Sequence, residues 1–210
     1  VIEARAEKCG IRGTATGKPV CTVPGDQNTV QIVSDGAGGA LLAWVDYRNG
    51  SADIYAQRLN PLGNPMLPVN GVAVCAAAGD QTSLVSAPDN EGNIYLTWVD
   101  TRHGQHIYAE RLNKTGDTMW SAGEGAPVCT WPGLQSAARI AADSAGIVVV
   151  WEDQRNPTKD IYAQRMESNY GSWTIDGVPV CTAPGDQTVP AVASAGGGSA
   201  VVTWLDARIS

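Results

Sequence analysis

The residue types that this chain has in small number already exclude several classes of protein. It contains no phenylalanine and two histidines, and only 17% of its 210 residues are charged. That composition is unlike the Ala-, Glu-, Lys- and Leu-rich mixture of helical bundles. The 14 lysines and arginines are scattered and the formal net charge is −7. Because phosphate contacts require clustered cations, we expect no nucleic-acid partner.

Long hydrophobic runs are also missing, while turn-forming residues are abundant. No stretch approaches 18 uninterrupted apolar residues, so the sequence predicts no transmembrane segment. The apolar fraction of 43% is normal for a folded domain, and 24 glycines and 12 prolines indicate many turns. No segment keeps a helical period of 3.6 residues. The sequence therefore predicts an all-β protein.

An internal repeat with a period of 52 to 54 residues runs through the whole chain. A Val-Cys pair, a Gly-(Asp/Leu)-Gln triplet and a segment similar to Asp-Ile-Tyr-Ala-Gln-Arg recur in a constant order. The clearest marker is Trp-x-Asp-x-Arg, which occurs four times. Its copies are Trp44, Asp46 and Arg48; Trp98, Asp100 and Arg102; Trp151, Asp153 and Arg155; and Trp204, Asp206 and Arg208.

Each copy of the repeat contains four short strand-like segments. In the first copy these are residues 29–34, 40–46, 54–59 and 71–75, and a Gly-rich turn at 35–39 separates the first two. Repeats of four antiparallel strands with this period are typical of β-propeller blades.

The two ends of the sequence match complementary halves of one repeat. Residues 1–8 resemble a third strand and residues 17–21 a fourth, whereas the last copy stops after its second strand. We therefore expect one domain over 1–210, a four-bladed β-propeller closed by pairing of its N-terminal and C-terminal strands in one blade. The blade repeats cover about 28–76, 82–130, 136–182, and 188–210 completed by 1–22. The structural alternative is a domain-swapped dimer of eight blades.

The segment from Ser34 to Arg48, followed by Asp-Ile-Tyr-Ala-Gln-Arg at 53–58, resembles a repeat of bacterial secreted and cell-surface proteins. Those repeats are β-propeller blades distantly similar to the sialidase type. The resemblance implies the propeller fold and favours a secreted or cell-surface location. It implies little about activity, because function depends on the site rather than on the fold.

The Trp-x-Asp-x-Arg motif has two interpretations. Alternate strand residues share a face, so Trp44, Asp46 and Arg48 lie on the same side of their strand. They could form part of a ring of Asp–Arg pairs that binds a charged ligand, or they could pack and pair structurally. Because the motif recurs in every blade and catalysis needs one asymmetric site, the structural role is favoured.

Three aspartates of the Gly-(Asp/Leu)-Gln triplet suggest a metal site. Asp26, Asp80 and Asp186 precede the innermost strands, where they could hold a cation on the propeller axis, and Leu134 occupies the fourth position. The alternative is that each aspartate caps a turn through backbone N–H groups. No other cofactor is expected.

Four cysteines occupy equivalent positions in separate repeats, too far apart to pair within one ring. They are expected to be small buried residues, and they are Cys21, Cys75, Cys129 and Cys181. Cys9 interrupts the repeat on a turn. It could form an intermolecular disulfide, or it could be a tolerated residue.

Residues outside the repeat mark a candidate ligand site. Trp131 replaces small residues of the other copies, and Arg139 interrupts an apolar inner strand. They could stack on a sugar or anchor a protein partner, or they could fill a local gap. His103 and His106 are expected to be solvent-exposed loop residues.

No catalytic set is recognisable. The Asp-box of sialidases is missing, and Glu152, the only acid unique to its copy of the motif, has no identifiable partner. We expect a non-catalytic extracellular module that binds protein or carbohydrate. The alternative is a structural subunit of a self-assembling polymer or surface layer, hence a homo-oligomer. A sialidase-like glycoside hydrolase is the third candidate.

Overall fold

The fold was analysed in a computed structural model that describes residues 2–4, 17–89, 91–170 and 173–208. The secondary structure of these residues consists of sixteen β-strands without a helix. The strands are β1 (Ile2–Ala4), β2 (Lys18–Cys21), β3 (Gln27–Ser34), β4 (Ala40–Asp46), β5 (Asp53–Leu59), β6 (Val72–Cys75), β7 (Gln81–Pro88), β8 (Ile94–Asp100), β9 (His106–Leu112), β10 (Ala126–Cys129), β11 (Gln135–Asp143), β12 (Gly146–Asp153), β13 (Asp160–Glu167), β14 (Val178–Cys181), β15 (Gln187–Gly196) and β16 (Ser199–Asp206).

Three antiparallel sheets of four strands form the middle of the molecule. We call them the first unit (β3–β6), the second unit (β7–β10) and the third unit (β11–β14). Two sheets of two strands complete the described chain, the N-terminal half-sheet (β1–β2) and the C-terminal half-sheet (β15–β16). The prediction of an all-β chain made of repeated four-stranded sheets is confirmed. The predicted pairing of the two half-sheets is not formed between the described strands, because β1–β2 and β15–β16 are separate two-stranded sheets.

The first strand of every repeat carries the same irregularity. Thr29, Ser83, Ala137 and Val189 occupy equivalent positions and all have positive φ angles, between 50° and 54°. At each of these places the strand register shifts relative to its neighbour. Such a bulge bends the strand and increases its local twist.

Successive sheets pack face to face and bury their second strands on both sides. Leu41 and Val45 of the first unit contact Leu84 and Trp98 of the second within one hydrophobic core. Equivalent cores join the N-terminal half-sheet to the first unit, the second unit to the third, and the third to the C-terminal half-sheet. This two-sided burial explains why the second strands are almost continuously apolar.

Within the described ranges, no helix has the length and apolar character needed to cross a bilayer.

Candidate functional site

The Trp-x-Asp-x-Arg motif forms a compact buried network in each complete unit. In the second unit the Asp100 carboxylate accepts hydrogen bonds from Trp98 Nε1 at 3.2 Å and from Arg102 Nε and Nη2 at 2.9 and 2.6 Å. The backbone N–H of Arg102 also donates to Asp100, at 3.0 Å. The first and third units repeat these contacts through Asp46 and Asp153.

The arginine of this network also reaches the preceding unit. Arg102 Nη2 donates to Cys75 Sγ of the first unit at 3.2 Å and to the Glu124 carbonyl of its own unit at 2.5 Å. Its guanidinium lies 4.4 Å from the centroid of the Tyr108 ring. Each network therefore fastens one unit to the next through the carboxylate, the indole N–H and the arginine Nε and Nη2.

The cysteines of the repeat are free thiols inside this scaffold. Cys21, Cys75 and Cys129 are buried, and Cys181 is partly exposed. Burial raises the pKa of Cys75 to about 11 and that of Cys129 to about 12. These two thiols therefore stay protonated and unreactive at neutral pH. Cys9 lies outside the described residues.

Acid should destabilise the fold through the same networks. Burial alone would raise the pKa of Asp46 and Asp153, but hydrogen bonds from the arginine, the tryptophan and the backbone hold both pKa values below the ordinary one. A lowered folded-state pKa means that the unfolded state binds more protons. The stabilisation is therefore complete above the unfolded pKa of about 3.9 and is lost as the pH falls below it. We expect the thermal unfolding midpoint, followed by circular dichroism, to decline steeply below about pH 4. An unchanged midpoint between pH 5 and pH 2.5 would contradict this account.

The three aspartates proposed for an axial cation are not brought together. Asp80 Oδ1 accepts the N–H of Ala52 at 3.0 Å, and Asp186 Oδ1 accepts the N–H of Lys159 at 3.0 Å. All three aspartates are exposed, and the described residues hold no cluster of three His, Cys, Asp or Glu that could bind a metal. Asp80 and Asp186 instead tie the start of one unit to a loop of the preceding one.

Leu134 removes this tie between the second and third units. It stands where Asp80 and Asp186 stand, and Gln105 occupies the loop position of Ala52 and Lys159. Leucine has no carboxylate to accept the Gln105 N–H, and the Gln105 side chain instead donates from Nε2 to the Gln135 carbonyl at 3.1 Å. A groove of about 680 Å³ opens there, between the β8–β9 loop and the segment that joins β10 to β11. We call it the junction groove; its lining includes His103, Gln105, His106, Tyr108, Pro132 and Leu134.

The two histidines have different surroundings in this groove. His106 is buried at the start of β9, and its Nδ1 lies 2.7 Å from Gln135 Oε1. The expectation that it is a solvent-exposed loop residue is therefore wrong. The other two complete units have aspartate at this position, Asp53 and Asp160. Gln81 and Gln187, the repeat equivalents of Gln135, have no hydrogen-bond partner for Oε1 among the described residues. His103 is exposed on the rim, as expected.

Trp131 and Arg139 do not form a pair. Trp131 is 48% exposed between Thr130 and Pro132, both of which line the junction groove. The guanidinium of Arg155 lies 5.2 Å from the Trp131 ring centroid. Arg139 is exposed on β11, outside the groove lining, and donates to the Ala138 carbonyl at 2.8 Å.

The structure brings together departures from the repeat that are separated in sequence. The β8–β9 loop contributes His103 and the start of β9 contributes His106, while the β10–β11 segment contributes Leu134 with Trp131 beside it. Sequence reasoning considered the two groups separately. The signal in the sequence is the place of the two groups within the repeat. The histidines lie around the start of the third strand of the second repeat, and Trp131 and Leu134 lie just before the first strand of the third repeat.

Glu152 is engaged in scaffold contacts. It forms an ion pair with Lys159 at 2.7 Å, and its Oε1 accepts the N–H of Val189 in the C-terminal half-sheet at 2.9 Å. Burial would raise the pKa of Glu152, but the hydrogen bonds from Lys159 and Val189 keep it lowered. An ionised carboxylate with these partners links the third unit to the C-terminal half-sheet.

No protein-family model matches this chain, and the curated proteins contain no significant match to it. The resemblance to bacterial secreted and cell-surface repeats therefore stays a prediction.

Proposed function

We propose that this chain is a non-catalytic β-propeller module that binds protein or carbohydrate outside the cell, through the junction groove. Four-stranded antiparallel sheets that pack face to face in sequence order are the arrangement of propeller blades. The ring closes when the two half-sheets join into one further blade. Closure within a single chain produces the four-bladed form that the sequence predicts.

The observation that carries the binding role is the position of the departures from the repeat. Residues that recur in every unit are occupied by hydrogen bonds that hold the units together. The junction groove, in contrast, is lined by His103, His106 and Leu134, which occur in one copy only, and the equally unique Trp131 lies between two lining residues. A scaffold with internal symmetry obtains a specific site where that symmetry is broken.

The chemistry of the groove suits a ligand with an apolar face and polar edges. Leu134 and Trp131 expose large apolar surfaces at its border, while His103 and the side chain of Gln105 supply polar groups. An exposed tryptophan can stack on a sugar ring or anchor a protein side chain. Binding pockets commonly combine an apolar lining with a few polar groups in this way.

The first test is substitution of Trp131. Ligands would be identified by screening immobilised glycans and candidate surface proteins, and then titrated in solution. We expect Trp131→Ala to weaken binding at least about tenfold, in the range of a hot-spot side chain. Trp173→Ala is the matched control, because Trp173 is 47% exposed and, unlike Trp131, does not lie between residues that line the groove. Equal effects of the two variants would argue against the groove.

Restoring the repeat at position 134 tests the origin of the groove. Leu134→Asp supplies the carboxylate that accepts a loop N–H at Asp80 and Asp186. It should therefore bind the Gln105 N–H, hold the β8–β9 loop against the third unit and narrow the groove. We expect lost binding without lost stability. Retained affinity in this variant would separate ligand binding from the junction groove.

A structural role in a self-assembling polymer is the second candidate function. It is supported by the edges of β1 and β16 that have no neighbour among the described strands, since an uncovered strand is a ready site for pairing with another chain.

A further inference from the structure

We propose that the half-sheets join between two copies of this chain, so that the protein is a closed dimer with eight blades. The inference rests on the proposed propeller architecture and names the partner that completes it. The C-terminal half-sheet of each copy would complete a blade with the N-terminal half-sheet of the other copy.

The exposed face of the C-terminal half-sheet corresponds to the face that the complete units bury against the following unit. Leu205 of β16 is 63% exposed, whereas its repeat equivalent Val45 is 1% exposed because the second unit covers it. Val201 is likewise exposed, and its equivalent Leu41 is fully buried in the same core. The half-sheet thus presents the apolar surface that the other units bury against a following unit.

The first unit presents the surface that would receive it. Val30 of β3 is 43% exposed, whereas its equivalent Leu84 is 1% exposed because β7 packs on the preceding unit. Ile32, two residues further along β3, is exposed as well. The N-terminal half-sheet already covers the outer part of this face, through contacts of Ile2 and Val20 with the first unit. The inner part of this face would be covered by the β15–β16 pair of the preceding blade.

The strand edges match as well as the faces. In the first unit β4 pairs with β5 over its whole length, with Val45 opposite Ile54. In the repeat β16 corresponds to β4 and β1 to β5, so Leu205 would lie opposite Ile2. β16 has only β15 beside it, and β1 has only β2, among the strands described. Each half-sheet therefore lacks the edge that the other provides.

The Trp-x-Asp-x-Arg network of the complete units also indicates that the two half-sheets belong in one blade. In the second unit Trp98 is fully buried and lies against Gly125, the residue before β10. The corresponding pair is Trp204 and Gly17, which belong to opposite half-sheets. Trp204 remains partly exposed, and its partners Asp206 and Arg208 are exposed. Joining the half-sheets would cover them.

Internal packing favours a second copy over closure within one chain. Each of the four junctions that a single four-bladed ring needs already has buried apolar contacts inside the chain, although each half-sheet fills only its own part of the junction it joins. Their geometry still leaves β1 and β16 in separate sheets. Because the packing of each junction sets the rotation between units, this arrangement favours completion of the half-sheets by a second copy. Two copies related by a twofold axis supply eight blades, within the common range for propellers, and leave no open edge.

Molecular mass is the first measurement. Size-exclusion chromatography with light scattering should give about 44 kDa, twice the 21.9 kDa of the chain. We expect Leu205→Asp to shift the mass to that of one chain, because a charge would enter the new junction. Val69→Asp is the control, since Val69 is highly exposed on a loop of the first unit and should leave the dimer intact. A wild-type monomer at micromolar concentration would overturn the proposal.

A disulfide across the predicted pair separates this proposal from the propeller itself. Ile2→Cys and Leu205→Cys are combined in a Cys9→Ser chain, oxidised and analysed on a non-reducing gel with peptide mapping. A covalent link between two chains supports the dimer. A link within one 21.9 kDa chain overturns the dimer and retains the four-bladed propeller. Absence of either link contradicts both, because the half-sheets would not meet.

Discussion

Replacement of Asp100 by alanine should lower the free energy of unfolding by about 3 to 5 kcal/mol, the usual loss when one partner of a buried ion pair is removed. The substitution leaves the fully buried Trp98 ring N–H and the partly buried Arg102 guanidinium without their carboxylate acceptor. It also weakens the connection that Arg102 makes to Cys75 of the first unit. Urea denaturation followed by tryptophan fluorescence measures the change.

Asp117→Ala is the control for this prediction. Asp117 also accepts side-chain hydrogen bonds, from Asn113 and Thr115, but it lies on an exposed turn. Its replacement should change stability little, because water takes over the freed groups. Asp100→Asn should fall between the two, since the amide oxygen can still accept one hydrogen bond while the charge is lost. A loss at Asp100 no larger than that at Asp117 would show that the network does not hold the units together.

Gly125→Ala is expected to have the second large effect, a loss of about 2 to 5 kcal/mol. The φ angle of Gly125 is +77°, where an L-residue with a side chain is strained by roughly 1 to 2 kcal/mol. In addition, the new methyl group would overlap the buried ring of Trp98. Overpacking of a dense core adds about 1 to 3 kcal/mol. Thermal and urea unfolding of the purified variant would measure the sum.

Gly123→Ala separates the two contributions. Gly123 lies two residues earlier and has a φ angle of +90°, and no atom lies within 4 Å of the place that its Cβ would take. Its replacement should therefore show only the backbone strain. Equal losses at the two glycines would mean that Trp98 can move aside, and the steric explanation would fail.

Much of the scaffold was predictable because it is encoded locally and repeated. Alternation and turn residues mark four strands in each repeat, and the continuous apolar run around Trp44 predicts a strand covered on both faces. The constant interval between Trp98 and Asp100 places both on one strand face, where the structure joins them by a hydrogen bond. A pattern that recurs in several copies is informative because chance does not reproduce it.

The candidate site was harder to predict because its parts come from different repeats. His106 was expected to be a loop residue, yet it begins β9 and contacts Gln135, which is 29 residues further along the chain. Trp131 and Arg139 were grouped by their proximity in sequence, but only Trp131 lies beside the junction groove. The chain order does not show which loop faces which segment of the next unit.

By itself, the sequence determined the all-β class, the repeat of four-stranded sheets and the residues of the buried network, since strand alternation and turn chemistry act between neighbours in the chain. Only the tertiary structure decided that the departures from the repeat meet in the junction groove. It also decided that β1 and β16 lie in separate sheets, although every sheet packs against its neighbours along the chain. Both outcomes depend on the rotation between packed sheets, which arises from many side chains acting together across each junction.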